Sequence, residues 1–156
     1  MSQNLPETSA RQEPENLAIL LREPFDLMTE LLYKRLAERG FDDFRIAHGA
    51  VFQYVDDVGT RIGILAERAG ITKQAMAELV RHLEDIDYVE RTQDPSDRRA
   101  SLIRTTRKGD EVFAVAREFT SEVEAHAAQE LGKAGYEGMR RGLRSLQKAL
   151  QSFSAP

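Results

Sequence analysis

The side chains able to carry chemistry are few. The chain has three histidines and no cysteine among 156 residues. Thiol nucleophiles, disulfides, cysteine-ligated zinc and thiol redox switches are thereby excluded. Glu122, His126 and Glu130 recur in steps of four and share one helical face, a spacing that could present metal ligands. An exposed polar face has the same spacing, and two helical turns keep the outer pair from sharing one ion. No metal site is expected. His48 is flanked by Phe44, Ala47, Val51 and Phe52, where it could touch a ligand between helices or be a satisfied, partly buried core residue. His82 is expected to face solvent or phosphate. Neither a glycine-rich phosphate loop nor a G-x-S-x-G run accompanies these residues. No catalytic set can be assembled, so neither an enzyme nor a cofactor is expected.

Charge is the stronger signal. Residues 1–90 hold 10 Lys/Arg against 17 Asp/Glu, and residues 109–156 hold six against seven. Between them Arg91, Arg98, Arg99, Arg104, Arg107 and Lys108 meet only Asp94 and Asp97, a local net charge of +4 inside a chain of net charge −4. Local fields rather than net charge decide what a surface attracts, so this segment is the first candidate for an anionic partner. A solvated hairpin with incidental charge is the plainer alternative.

The elements that must position these charges follow from periodicity. Residues 1–15 are proline-interrupted and almost free of apolar side chains, which predicts a disordered tail. Leu17, Leu20, Leu21, Leu27, Leu31, Leu32 and Leu36 recur at helical spacing until Gly40, and Pro24 is expected to begin a second helix within that stripe. A further helix, capped by Asp42 or Asp43 and ending near Gly59, would carry Ile46, Ala50, Val51, Tyr54 and Val55. A short helix over 62–69 closes at Gly70. Thr72 then caps the next, whose apolar face is Met76, Leu79, Val80, Leu83 and Ile86 and whose outer face is Lys73, Gln74, Ala77, Glu78 and Arg81. Tyr88 and Val89 start one strand and residues 101–106 form another, with the turn cluster QDPSDRRA between them. A helix resumes near Lys108, and after the breakers Gly132 and Gly135 a last one carries Met139, Leu143, Leu146, Leu150 and Phe153. No apolar run is long enough for a membrane span and no signal segment is visible, so a cytoplasmic protein is expected.

Two helices joined at a glycine turn, followed by a basic hairpin, make a winged helix-turn-helix: a mainly α fold with a small β-hairpin wing. Its second helix fits the major groove of double-stranded DNA, where Gln74 can pair with adenine, Glu78 can accept from cytosine, and Lys73 and Arg81 can reach guanine or phosphate. Each of these residues taken singly could equally be an ordinary exposed helix position. Arg98 and Arg99 at the wing tip suit a narrow minor groove. Arg91, Arg98, Arg104 and Lys108 are expected to contact phosphates.

The run from Leu65 to Gly109, LAERAGITKQAMAELVRHLEDIDYVERTQDPSDRRASLIRTTRKG, resembles the multiple antibiotic resistance regulator (MarR) family, with DPSDRRA its most specific part. The resemblance covers those 45 residues closely and residues 16–153 by helix order. It implies a single domain over 16–156, with a winged helix-turn-helix at about 45–108 between dimerisation helices at about 16–39 and 109–153. It further implies that Asp97 orients Arg99. Asp87 departs from the family by standing where glycine is usual, at a position needing a left-handed backbone. Glu78 is another departure, at a position often basic in relatives, and Thr105 replaces a leucine.

The expected function is a sequence-specific transcriptional regulator, a repressor of palindromic operators. The apolar stripes of the first and last helices exceed what one winged-helix core needs, which predicts a homodimer. A small aromatic or amphipathic effector, implied mainly by the resemblance, would lodge near Phe25, Tyr33, His48, Phe52 and Phe113, although each of these could also be plain core. A winged-helix adaptor that binds proteins instead of DNA is the alternative, motivated by the acidic first ninety residues.

Overall fold

The computed structural model describes residues 16–153; the predicted tail at 1–15 lies outside them. Helix α1 (Leu17–Glu38) starts where Asn16 accepts a hydrogen bond from the Ile19 amide at 3.1 Å, a side-chain cap for an otherwise unpaired donor. Pro24 lies inside α1 and does not begin a new helix. Its fixed φ is compatible with the helix, and only the amide it lacks is lost from the ladder. A hydrogen bond from the Phe41 amide to the Leu36 carbonyl, across Gly40 at φ +91°, closes the helix.

The expected helix from Asp42 or Asp43 to Gly59 is much shorter. It is a 3-10 turn (Ile46–His48) continued by α2 (Gly49–Phe52). Its entry is fixed by the His48 ring, whose Nδ1 accepts the Arg45 amide at 3.0 Å, so neither aspartate is needed as a cap. The chain beyond leaves the helix because Thr60 pairs with Ile103 through two backbone hydrogen bonds of 2.9 Å. That bridge lays residue 60 against the wing.

Helix α3 (Ile62–Ala69) ends at Gly70 in the left-handed conformation, and α4 (Lys73–Asp85) begins at Thr72, whose hydroxyl accepts from the Ala75 amide at 3.1 Å. Asp87 adopts φ +63°, and the Tyr88 amide returns to the Leu83 carbonyl at 2.8 Å. An aspartate thus fills a slot usually given to glycine. Strands β1 (Val89–Asp94) and β2 (Asp97–Thr105) pair antiparallel from Val89 opposite Thr105 to Gln93 opposite Ser101. The strands consume most of the segment read as turn, leaving only Pro95 and Ser96 at the tip.

Helix α5 (Arg107–Phe153) runs through Gly135 without interruption, but Gly132 breaks it with φ 67° and ψ 157°. The first part of α5 packs on α1, where Arg35 holds both carboxylate oxygens of Glu122 at 3.2 and 2.9 Å and Arg39 holds Glu118 at 2.9 Å. The core lies between these layers. Tyr88 is fully buried at its centre, its ring against Phe41, Phe44 and Phe52. Met76, Val80 and Leu83 bring the inner face of α4 onto it.

Candidate nucleic-acid interface

Burying Met76, Val80 and Leu83 turns the opposite face of α4 outward. Lys73, Gln74, Glu78 and Arg81 are exposed there and Ala77 is half-buried between them. Thr72 serves as the helix cap. The wing stands beside the start of α4. Arg61, Lys73, Arg91 and Arg99 line a cleft of about 490 Å³ between the α3 N-terminus, α4 and β2. Of these four cations Arg61 is paired with Asp94 and Arg91 with Glu84, while Lys73 and Arg99 have no ion-pair partner among the described residues.

Asp94 shapes the wing. It is 5% exposed and accepts from the Ser96 amide at 2.8 Å and the Ser96 hydroxyl at 2.7 Å. The Arg61 guanidinium reaches the same carboxylate, with Nε at 2.7 Å and Nη2 at 2.5 Å. The Ser96 hydroxyl and amide, then Arg61, hold the Asp94 carboxyl down at about 2. Because this value is depressed, the contribution to stability is complete above the ordinary carboxylate range and disappears as pH falls through about 2. The wild-type wing is therefore expected to loosen only below about pH 4, whereas Asp94→Asn should loosen it at neutral pH. Hydrogen exchange at the Ser96 amide reads this, and an exchange rate unaltered by Asp94→Asn would contradict it.

The other site residues each make defined contacts. Asp97 accepts the backbone amide of Arg99 at 3.0 Å, which orients Arg99 through its main chain. Arg98 and Arg99 are exposed. Arg91 directs Nε at Glu84, 2.9 Å from both oxygens, which ties β1 to α4. Arg104 donates to the Asp57 carbonyl at 3.3 Å. Lys108 points inward: its ammonium is 3.0 Å from Asp43 and from the Ile86 carbonyl, and 4.0 Å above the Tyr88 ring. Tyr88 also donates to Asp43. Burial of Asp43 opposes ionisation, but the Tyr88 and Lys108 hydrogen bonds outweigh it and leave the carboxyl below its ordinary value. Lys108 is thus engaged in joining α5 to the core.

The five aromatic candidates do not form one group. Tyr33, Phe52 and Phe113 line a cavity of about 230 Å³ with Leu32, Phe44 and Val112, and the Phe52 and Phe113 rings are 5.1 Å apart. The Tyr33 hydroxyl reaches the Ile46 carbonyl at 3.3 Å, and burial raises its pKa. Phe25 is 67% exposed on α1, far up the helix from this cavity's lining. His48 lies beyond Phe44, 5.3 Å from that ring and 5.0 Å from His82. His82 is half-buried against it instead of open to solvent. Arg61 and Asp94 escaped the sequence reading as site residues. Asp94 had a signal, since it opens the DPSDRR motif; Arg61, 33 residues away, had none.

Residues 59–101 match the model of the MarR family. Over those residues, from α3 to the wing, the chain is similar to that family. Transcriptional regulator Tm0710 from Thermotoga maritima is 28% identical with a TM-score of 0.62, over 89% of this chain and 97% of that one. The S. aureus MepR–DNA complex is 19% identical with a TM-score of 0.67, over 86% and 98%. CouR from Rhodococcus jostii RHA1 bound to p-coumaroyl-CoA is 24% identical with a TM-score of 0.63, over 85% and 92%. A comparison with curated protein sequences gave no match. The likeness of fold extends beyond the matched segment to both terminal helices, and among these neighbours Tm0710 and MepR are regulators of transcription. Among the described residues no helix is long and apolar enough to cross a membrane.

Proposed function

We propose that this protein is a homodimeric, sequence-specific DNA-binding regulator that represses near-palindromic operators and is released by a small effector. The observation that carries the DNA reading is the cleft where Arg61, Lys73, Arg91 and Arg99 adjoin the polar face of α4. A helix in the major groove reads base edges while the flanking cations hold backbone. That a MarR-type neighbour was solved with DNA supports this reading. Affinity resting on several phosphate contacts falls steeply with salt. Gel-shift titration against fragments upstream of its own coding sequence tests it; absent or salt-insensitive binding to every fragment would overturn it.

Dimerisation is supported by apolar surface on the terminal helices. Leu20, Phe25, Leu27 and Leu31 of α1 and Leu143, Leu150 and Phe153 of α5 are all exposed, Phe153 by 89%. Leu27, Met28 and Leu31 also line a groove of about 570 Å³ against Phe119 and Val123. Burying these stripes across a two-fold axis would set two recognition helices about one DNA turn apart. Light scattering at micromolar concentration is expected to give a dimer, and Leu27→Glu with Leu31→Glu a monomer. A wild-type monomer would count against this assembly.

The effector reading is supported by the aromatic cavity at Tyr33, Phe52 and Phe113, which offers ring surfaces with a hydroxyl handle, and by a MarR-type neighbour solved with p-coumaroyl-CoA. A ligand acts only through its preference between two dimer shapes. Thermal-shift screening of phenolic compounds, with hits retested for release of DNA, tests this step. Stabilising compounds that leave DNA affinity unchanged would remove it.

A further inference from the structure

The recognition helix has a second flank. Arg45, Ala47 and His48 on one side and Ala75, Leu79 and His82 on the other enclose a pocket of about 400 Å³ between the 3-10 turn and α4. His48 is 2% exposed. Its Nδ1 accepts the Arg45 amide at 3.0 Å, which fixes the hydrogen of the neutral ring on Nε2. Burial, with the charges of His82 and Arg45, lowers its pKa to about 4, so the ring is neutral at physiological pH. No hydrogen bond from Nε2 occurs among the described residues, and no sealed side-chain nitrogen or oxygen there lacks a partner. Nε2 is therefore not sealed, and since His48 lines the pocket its N–H is the donor that the ring can offer there. The same tautomer argues against a metal, which would need Nε2 without its proton. Arg45 is exposed beside it, with no carboxylate within ion-pair distance among the described residues.

At 3.6 residues per turn, Ala75 and His82 lie on roughly the opposite side of α4 from Lys73. Lys73 belongs to the wing-side cleft, so donor-bearing concavities bracket the helix on both flanks. A helix seated in the major groove has a phosphate backbone on each side, across a width of about 12 Å. We propose that the Arg45–His48–His82 pocket seats a backbone phosphate of the second DNA strand, opposite the strand held by the wing-side cleft. This assignment rests on the DNA-binding reading above. His48 supplies an oriented N–H, Arg45 a mobile cation, and Ala47 and Ala75 leave room for the phosphate oxygens. Glu78 also borders the pocket, and its charge opposes an anion there.

The test compares the full chain with Arg45→Gln, His82→Gln and Glu78→Gln by anisotropy on a bound upstream fragment across a salt series, with melting curves checking the fold. Arg45→Gln is expected to weaken binding about five- to tenfold and to lower the slope of log affinity against log salt by about one. His82→Gln should weaken binding and Glu78→Gln strengthen it. If Arg99→Ala weakens binding while Arg45→Gln leaves affinity and slope unchanged, the second-strand seat is wrong and the DNA reading stands. If the unaltered protein binds no fragment, the DNA reading falls and the seat with it. Inorganic phosphate titrated against the His48 and His82 ring resonances separates the sources: shifts there, with DNA binding indifferent to Arg45→Gln, would make the pocket a free-oxyanion site and overturn the assignment.

Discussion

Arg99→Ala is expected to reduce affinity for upstream DNA about fivefold or more, on the order of 1–3 kcal/mol, without lowering the melting temperature. The wing fold does not depend on the Arg99 side chain. Asp97 holds the residue through its backbone amide, and the turn is held by Asp94, Ser96 and Arg61. The exposed guanidinium is therefore free to act on a partner, as a narrow minor groove requires. Arg99→Lys should recover only part of the loss, because an ammonium lacks the planar fork of donors. Fluorescence anisotropy measures the affinity. An adaptor that has kept the winged helix to bind proteins would be indifferent to the change, so retention of full DNA affinity in Arg99→Ala would remove the wing from the reading surface.

Gly109→Ala is expected to destabilise the fold by about 1–3 kcal/mol or more, lowering Tm by roughly 3–10 °C. A Cβ at this position would stand 2.3 Å from the Tyr88 carbonyl oxygen and 3.1 Å from the Thr105 Cβ. The carbonyl cannot retreat, since it accepts the Thr106 amide at 3.1 Å, and Tyr88 itself is anchored in the core. The first turn of α5 must therefore move off β2. Differential scanning calorimetry reads the loss, and a melting temperature within a degree of wild type would show that the approach is looser than the geometry implies. This contact also explains the glycine that ends the family-like run from Leu65: it is where the helix meets the strand start.

Legibility followed the range of the interactions. Between residues 62 and 106 the decisive signals are local: Gly70 and Thr72 separate two helices, Asp87 permits a left-handed residue, and alternating positions with a turn cluster make a hairpin. These determine the outer face of α4 and the basic wing without further information. The 42–60 segment misled because its helical spacing competes with two long-range demands, the Thr60–Ile103 bridge and the packing of His48 against His82. The Asp94–Arg61 and Asp43–Lys108 pairs span 33 and 65 residues, and no periodicity announces them. For that reason Lys108 read as a phosphate contact, when the fold gives it Asp43. The aromatic residues were visible as types, but which of them share a cavity depends on how α1, α2 and α5 meet.

The break in α5 bears on how a two-headed reader would keep its ruler. Gly132, at φ 67° and ψ 157°, lies in a region that only glycine enters easily. Past it the chain doubles back, placing Arg140 3.7 Å from Glu124 on the preceding part of α5. The described residues beyond it, 133–153, are aimed by these two torsion angles, with the exposed Arg140–Glu124 ion pair bracing the elbow. In a two-fold assembly built on the terminal helices, a few degrees of rotation there would be magnified along 21 residues of lever, from 133 to 153. The pitch match between two reading heads and their DNA would then be calibrated at a joint that touches neither.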